Sequence, residues 1–161
     1  MRVLGLDPGM ATTGFALIEV DGNAPPRPID YGIIQTNKDL PTGDRLAVLY
    51  RDMQLVLQQG QPTIVAMEKL FFYRMGNLIP IAQARGVILL ALAQRGLTPQ
   101  EYSPPQVKLA LTGHGRASKT EVQAAVVREL NLPHVPRPDD CADALAIALT
   151  YWFTSTASTP L

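Results

Sequence analysis

The apolar positions of this chain fall into two kinds of run that alternate along its length. Short unbroken runs come first: Val3-Leu4-Gly5-Leu6 ends at Asp7, and Ile64-Val65-Ala66-Met67 ends at Glu68. Runs this short, with turn formers beside them, predict buried strands over residues 2–7 and 63–68. Pro8-Gly9 must turn sharply after the first, because Pro fixes φ and Gly accepts a positive one. Residues 13–20 and 29–36 read as two more strands, joined by the turn-rich stretch Asp21-Gly22-Asn23-Ala24-Pro25-Pro26-Arg27-Pro28. Links this short favour an antiparallel meander. The period then changes. Leu46, Leu49, Tyr50, Met53, Val56 and Leu57 recur at helical spacing and predict a helix over 43–59, ended by Gly60. A strand reached through a helical crossover should lie parallel to a neighbour, so 63–68 is expected in that orientation.

Residues 81–94 are apolar nearly all round, which marks a buried helix. A short fifth strand follows over 97–102, with Pro99 pointing to a sheet edge. Ser103-Pro104-Pro105-Gln106 and Ser118-Lys119-Thr120-Glu121 each carry the residues of a capping box and so start two helices. The last helix is expected after Pro136-Arg137-Pro138, with Asp139 as its N-cap, and runs to about Phe153. The expected fold is therefore α/β: a mixed five-stranded sheet, three strands in an antiparallel meander plus parallel strands, flanked by helices. It forms one domain over residues 1–153, and the small polar tail 154–161 should fray.

Composition narrows the class. A chain of 161 residues is one ordinary domain with room for a core. No apolar run reaches membrane-spanning length, so a soluble protein without a membrane partner is expected. Met1 leads straight into a strand, leaving no room for a signal peptide. One cysteine, Cys141, excludes an internal disulfide and is compatible with a cytoplasmic location. The formal net charge is zero, yet the charges are unevenly placed. Residues 1–68 hold five bases and eight acids, 69–137 nine bases and three acids, and 138–161 three acids and no base. Acidic ends around a basic middle suit a metal-dependent enzyme acting on a polyanion, although charge also clusters by chance.

Four acids carry the candidate chemistry. Asp7 and Glu68 close the two buried runs, and Asp140 and Asp143 sit one turn apart at the start of the last helix. If the first and fourth strands are parallel neighbours, Asp7 and Glu68 lie side by side at about 4.8 Å, near enough to share a divalent ion. Hard oxygen ligands with few His or Cys alternatives point to Mg²⁺ or Mn²⁺ and to metal-assisted attack on a phosphodiester. Each acid has a bland reading too. Asp7 could cap its turn, and Asp140 and Asp143 could merely complement a helix dipole. A carboxylate ending a buried strand, as Glu68 does, needs a partner in any case.

Lys119 fits poorly as a structural residue, because a cation in the first turn of a helix opposes the macrodipole. Backbone N–H groups there favour an anion, so a phosphate is the natural occupant. Lys108, after Pro104-Pro105, repeats the pattern, and Arg116 stands in the glycine-flanked loop beside His114. Phe71, Phe72 and Tyr73 follow the fourth strand and precede Arg74. Three adjacent aromatics cannot easily all turn inward, which leaves one to stack on a base, a contact worth roughly 1–3 kcal/mol. His134 and Cys141 read as structural, since nothing near them has nucleophile-base or zinc spacing.

Taken in order, Leu4-Gly5-Leu6-Asp7-Pro8-Gly9, Met67-Glu68-Lys69-Leu70-Phe71, Gln83-Ala84-Arg85-Gly86-Val87, Gln106-Val107-Lys108, Gly113-His114-Gly115-Arg116-Ala117-Ser118-Lys119 and Asp140-Cys141-Ala142-Asp143-Ala144-Leu145-Ala146-Ile147-Ala148 resemble the RuvC-type Holliday-junction resolvases. The resemblance spans roughly residues 1–153. It implies an RNase H-like fold, a homodimer, and four-way junction DNA cut by paired symmetric nicks in recombination and repair. It implies two Mg²⁺ or Mn²⁺ ions per active site on Asp7, Glu68, Asp140 and Asp143. Lys108 and Lys119 fall on its basic positions, Phe71 falls on the aromatic that stacks at the junction, and a branch-migration motor remains open as a partner. The chain departs from the family at Lys69, where Gln is common, and in a slightly shortened segment over 72–80.

Two rival classes remain at this level. An actin-like ATP-dependent phosphotransferase also opens with a strand and an Asp-x-Gly turn, but usually needs a larger two-lobed chain. A non-catalytic junction-binding module would present four acids to a polyanion, a poor surface without metal.

Overall fold

The computed structural model describes residues 1–22, 24–70 and 78–157. Five strands and five helices follow in the order β1 (Arg2–Asp7), β2 (Thr12–Glu19), β3 (Arg27–Gln35), α1 (Thr42–Gly60), β4 (Ile64–Glu68), α2 (Leu78–Ala93), β5 (Gln100–Tyr102), α3 (Pro104–Thr112), α4 (Lys119–Glu129) and α5 (Asp139–Ala157). The sheet order is β3-β2-β1-β4-β5. β1, β2 and β3 form the antiparallel meander, while β4 runs parallel to both β1 and β5. This is the mixed sheet that the pattern predicts and the arrangement of an RNase H-like fold. Among the described residues, no helix is long and apolar enough to cross a membrane.

Both faces of the sheet are covered, which explains why β1 reads as an unbroken apolar run. Successive side chains on a strand point to opposite faces. Val3 accordingly joins α5 residues Ala144, Leu145 and Ala148 in one core cluster. Leu4 and Leu6 pack on the other side with Leu49, Met53 and Leu57 of α1 and Ile88 and Leu92 of α2.

Two glycines let α5 sit directly on the sheet. A Cβ at Gly5 would lie 2.1 Å from the Ala144 carbonyl oxygen and 2.8 Å from the Ala148 amide nitrogen. A Cβ at Gly14 would lie 2.3 Å from the Asp140 carbonyl oxygen. Neither neighbour is a flexible side chain, so the helix itself would have to move. Gly5→Ala is therefore expected to destabilise the protein by about 1–3 kcal/mol, the usual range for overpacking. Chemical denaturation should show it as a lower midpoint at an unchanged slope.

Several boundaries differ from expectation for identifiable reasons. Gln61, not Gly60, takes the left-handed conformation (φ 45°) after α1, and its N–H bonds the Leu57 carbonyl. β5 is shorter than 97–102 because Leu97 closes the end of α2, donating its N–H to the Leu92 carbonyl at 3.0 Å. α2 starts at Leu78, with Pro80 inside its first turn, where no helical N–H is lost. Asp139 opens α5 as its first residue, and its carboxylate goes to Lys119 and Arg137 rather than serving as an N-cap. α5 also runs past the expected end at Phe153 to Ala157, and Thr154 bonds the Thr150 carbonyl at 2.8 Å.

Candidate active site

The strand register brings the first two acids together. Leu6 pairs with Met67 in the parallel β1–β4 ladder, so Asp7 and Glu68 are the next step on adjacent strands. The Glu68 carboxylate lies near enough to Asp7 for its charge to raise the Asp7 pKa. The turn after Asp7 is clasped by buried Thr13, whose Oγ1 accepts from the Gly9 N–H at 3.2 Å and donates to the Gly9 carbonyl at 2.8 Å. The end of β4 is held by Arg85, which donates to the Glu68 carbonyl at 2.7 Å and forms an ion pair with Glu101. Arg85 is only 8% exposed.

The second pair arrives from the opposite layer. Asp7 is paired with Gly14 across β1–β2, and the backbone of Asp140 rests on Gly14. A glycine beside Asp7 thus lets the first turn of α5 approach the strand that carries the first acid. Asp140 and Asp143, at i and i+3, share one face of that turn. All four acids line one cavity of about 770 Å³, and Lys108 and Lys119 line it too.

The electrostatics follow from this crowding. Burial, then the charges of Glu68, Asp143 and Asp140, push the Asp7 carboxyl well above the ordinary carboxylate range. Burial also raises Asp143, with Lys119 opposing the shift. Lys119 is itself raised, chiefly by its hydrogen bond to Asp139. Its Nζ lies 3.1 Å from Asp139 Oδ2 and 3.6 Å from Asp143 Oδ2. Among the described residues, no three acids converge closely enough to enclose an ion. Like charges in a low-dielectric cleft repel, and Lys119 draws Asp143 toward itself.

Most expected site residues meet here, but not all. Asp7, Glu68, Asp140, Asp143, Lys108 and Lys119 do. Lys119 is the first residue of α4, whose capping box through Ser118 and Glu121 is present. Lys108 is the fifth residue of α3, beyond its first turn, so the dipole argument does not extend to it. Arg116 is exposed and does not line the cavity. Phe71, Phe72, Tyr73 and Arg74 lie outside the described residues. His134 is exposed, which leaves Cys141 as the buried member of the pair read as structural. Sequence reasoning missed the roles of Arg85 and Asp139. A lone cation in an otherwise apolar buried helix was the available signal for Arg85.

Residues 3–151 match the family model "Crossover junction endodeoxyribonuclease RuvC". A protein of that name from Gloeobacter violaceus is 56% identical over 153 residues, covering 95% of this chain and 88% of the relative. The structure of Thermus thermophilus RuvC superposes with a TM-score of 0.91 at 37% identity, covering 99% of this chain and 98% of the other. T. thermophilus RuvC in complex with a Holliday junction substrate gives 0.92 at 35% identity, covering 99% and 97%. The yeast mitochondrial Holliday junction resolvase Ydc2, at 13% identity and a TM-score of 0.70, shares the fold alone. With a family model matched over nearly its whole length and a relative more than half identical, the chain belongs to the RuvC family of crossover junction endodeoxyribonucleases.

Proposed function

We propose that this chain resolves four-way DNA junctions by hydrolysing phosphodiesters with two divalent cations, Mg²⁺ or Mn²⁺, held by Asp7, Glu68, Asp140 and Asp143. The observation that carries the proposal is that acids from β1, β4 and α5 line one cavity together with Lys108 and Lys119. The donor set fits such ions, being four hard carboxylates whose mutual repulsion a cation would relieve. When bound, the two cations supply an activated water and neutralise the departing 3′ oxygen. The chain's own side chains do the rest. Asp7 and Glu68 anchor the site on rigid strands, Asp140 and Asp143 close it from the helix layer, and Lys119 offsets charge on the scissile phosphate. Phe71, Phe72, Tyr73 and Arg74 would meet the unpaired centre of the junction, with Arg116 and Lys108 along its backbone.

A homodimer would let two equivalent strands be cut alike. A candidate contact is the outer face of α2, where Ile79 is 74% and Leu90 53% exposed and, among the described residues, nothing lies within 4 Å of a Cβ at Gly86. The metal reading is tested by exchanging the cation. Ca²⁺ should support junction binding without efficient cleavage, because its loose coordination does not hold a tight octahedral geometry. Comparable turnover in Ca²⁺ and Mg²⁺ would count against two-metal chemistry. The aromatic reading is tested by Phe71→Ala, which should slow cleavage of an intact junction more than of one loosened by a mismatch. An equal defect on both substrates would move attention to Phe72.

A further inference from the structure

The two carboxylates that hold Lys119 are not equivalent. Asp139 and Asp143 stand one turn apart on α5 and both reach the first residue of α4. Asp143 lines the cavity, whereas Asp139 does not. Asp139 uses Oδ2 for Lys119 and Oδ1 for the guanidinium of Arg137. A cation on Asp143 would repel an ammonium placed 3.6 Å from that carboxylate. Among the described residues, Asp139 alone would then hold the long Lys119 side chain, whose strongly hydrated head otherwise favours solvent.

We propose that Asp139, braced by Arg137, is a positioning residue that keeps the Lys119 ammonium at the cavity rim while cations occupy Asp143 and its neighbours. The proposal rests on the cleavage reading above and extends it to a residue outside the four acids. Asp139 neither touches the substrate nor ligates metal. It acts through Lys119 alone, so its effect must vanish when Lys119 is absent.

The test is a double-mutant cycle under single-turnover conditions, with Mg²⁺ and enzyme saturating over a labelled four-way junction. Asp139→Asn should slow cleavage about tenfold, as loss of a supporting partner commonly does at such sites. Junction affinity and the Mg²⁺ midpoint should not change, and adding Asp139→Asn to Lys119→Ala should slow cleavage no further. A second readout needs neither metal nor DNA. Limiting acetic anhydride should acylate Lys119 faster in metal-free Asp139→Asn than in wild type, because the shorter of its two ion pairs is lost and only the 3.6 Å pair with Asp143 still quiets the amine. An undiminished cost in the Lys119→Ala background would overturn the proposal, as would unchanged labelling. A shifted Mg²⁺ midpoint would overturn it too, by making Asp139 a metal ligand. Failure of the wild type to nick any junction would sink the cleavage reading and the positioning role with it, even where labelling finds the contact.

Discussion

Asp7→Asn is expected to abolish nicking while leaving junction binding intact and making the metal-free protein more stable near neutral pH. The rate should fall by well over the roughly 100-fold seen when even an outer partner of a metal ligand is lost. Binding should survive because the basic surface is untouched. The stability gain follows from linkage. Burial and three neighbouring carboxylates raise the Asp7 pKa in the folded chain above its unfolded value. The folded state therefore holds the proton more tightly, and ∂ΔG/∂pH is negative between the two pKa values. The contribution of Asp7 to stability is fully present below its unfolded pKa and is lost as pH rises from the ordinary carboxylate range toward the raised folded value. Asn carries no such charge, so the variant's melting temperature should depend less on pH over that window. Saturating Mg²⁺ should narrow the gap by stabilising the wild type selectively. A variant that nicks at the wild-type rate in saturating Mg²⁺ would remove Asp7 from the catalytic set.

Lys119→Ala separates phosphate chemistry from helix structure. Its pair with Asp139 is half-exposed, and such pairs contribute only about 0–1 kcal/mol. The cation also opposes the dipole of α4, an effect of similar size and opposite sign. Stability should thus change little. If the ammonium lies against the scissile phosphate, the cleavage rate should fall by roughly 10²-fold at saturating DNA, the scale of losing one charge-stabilising donor. Binding should weaken modestly, with the salt slope shallower by about one unit. Equal stability with wild-type cleavage would make the start of α4 purely structural.

Much of this site is legible in the sequence because its parts are local. β1 and β4 are buried on both faces, so each reads as an apolar run, and an acid ending such a run stands out. The two capping boxes are complete within four residues each, and both form. What was hidden depends on contacts far apart in the chain. Gly14 matters because Asp140 arrives on top of it, and no local pattern announces that. Asp139 looked like an N-cap because Asp before a helix commonly is one, but competing cations on α4 and at Arg137 claim its carboxylate. Leu97 looked like a strand residue because an apolar helix cap and an apolar strand start share one composition.

The most direct test of the account labels each strand of a four-way junction in turn, adds the protein with Mg²⁺, and maps the products beside a linear duplex of the same sequence. Nicks are expected at symmetric positions in two strands of like polarity, with ends that ligase reseals, no comparable cutting of the duplex, and no product without a divalent cation. Equal cutting of the duplex, or nicking of the junction without any divalent cation, would contradict it.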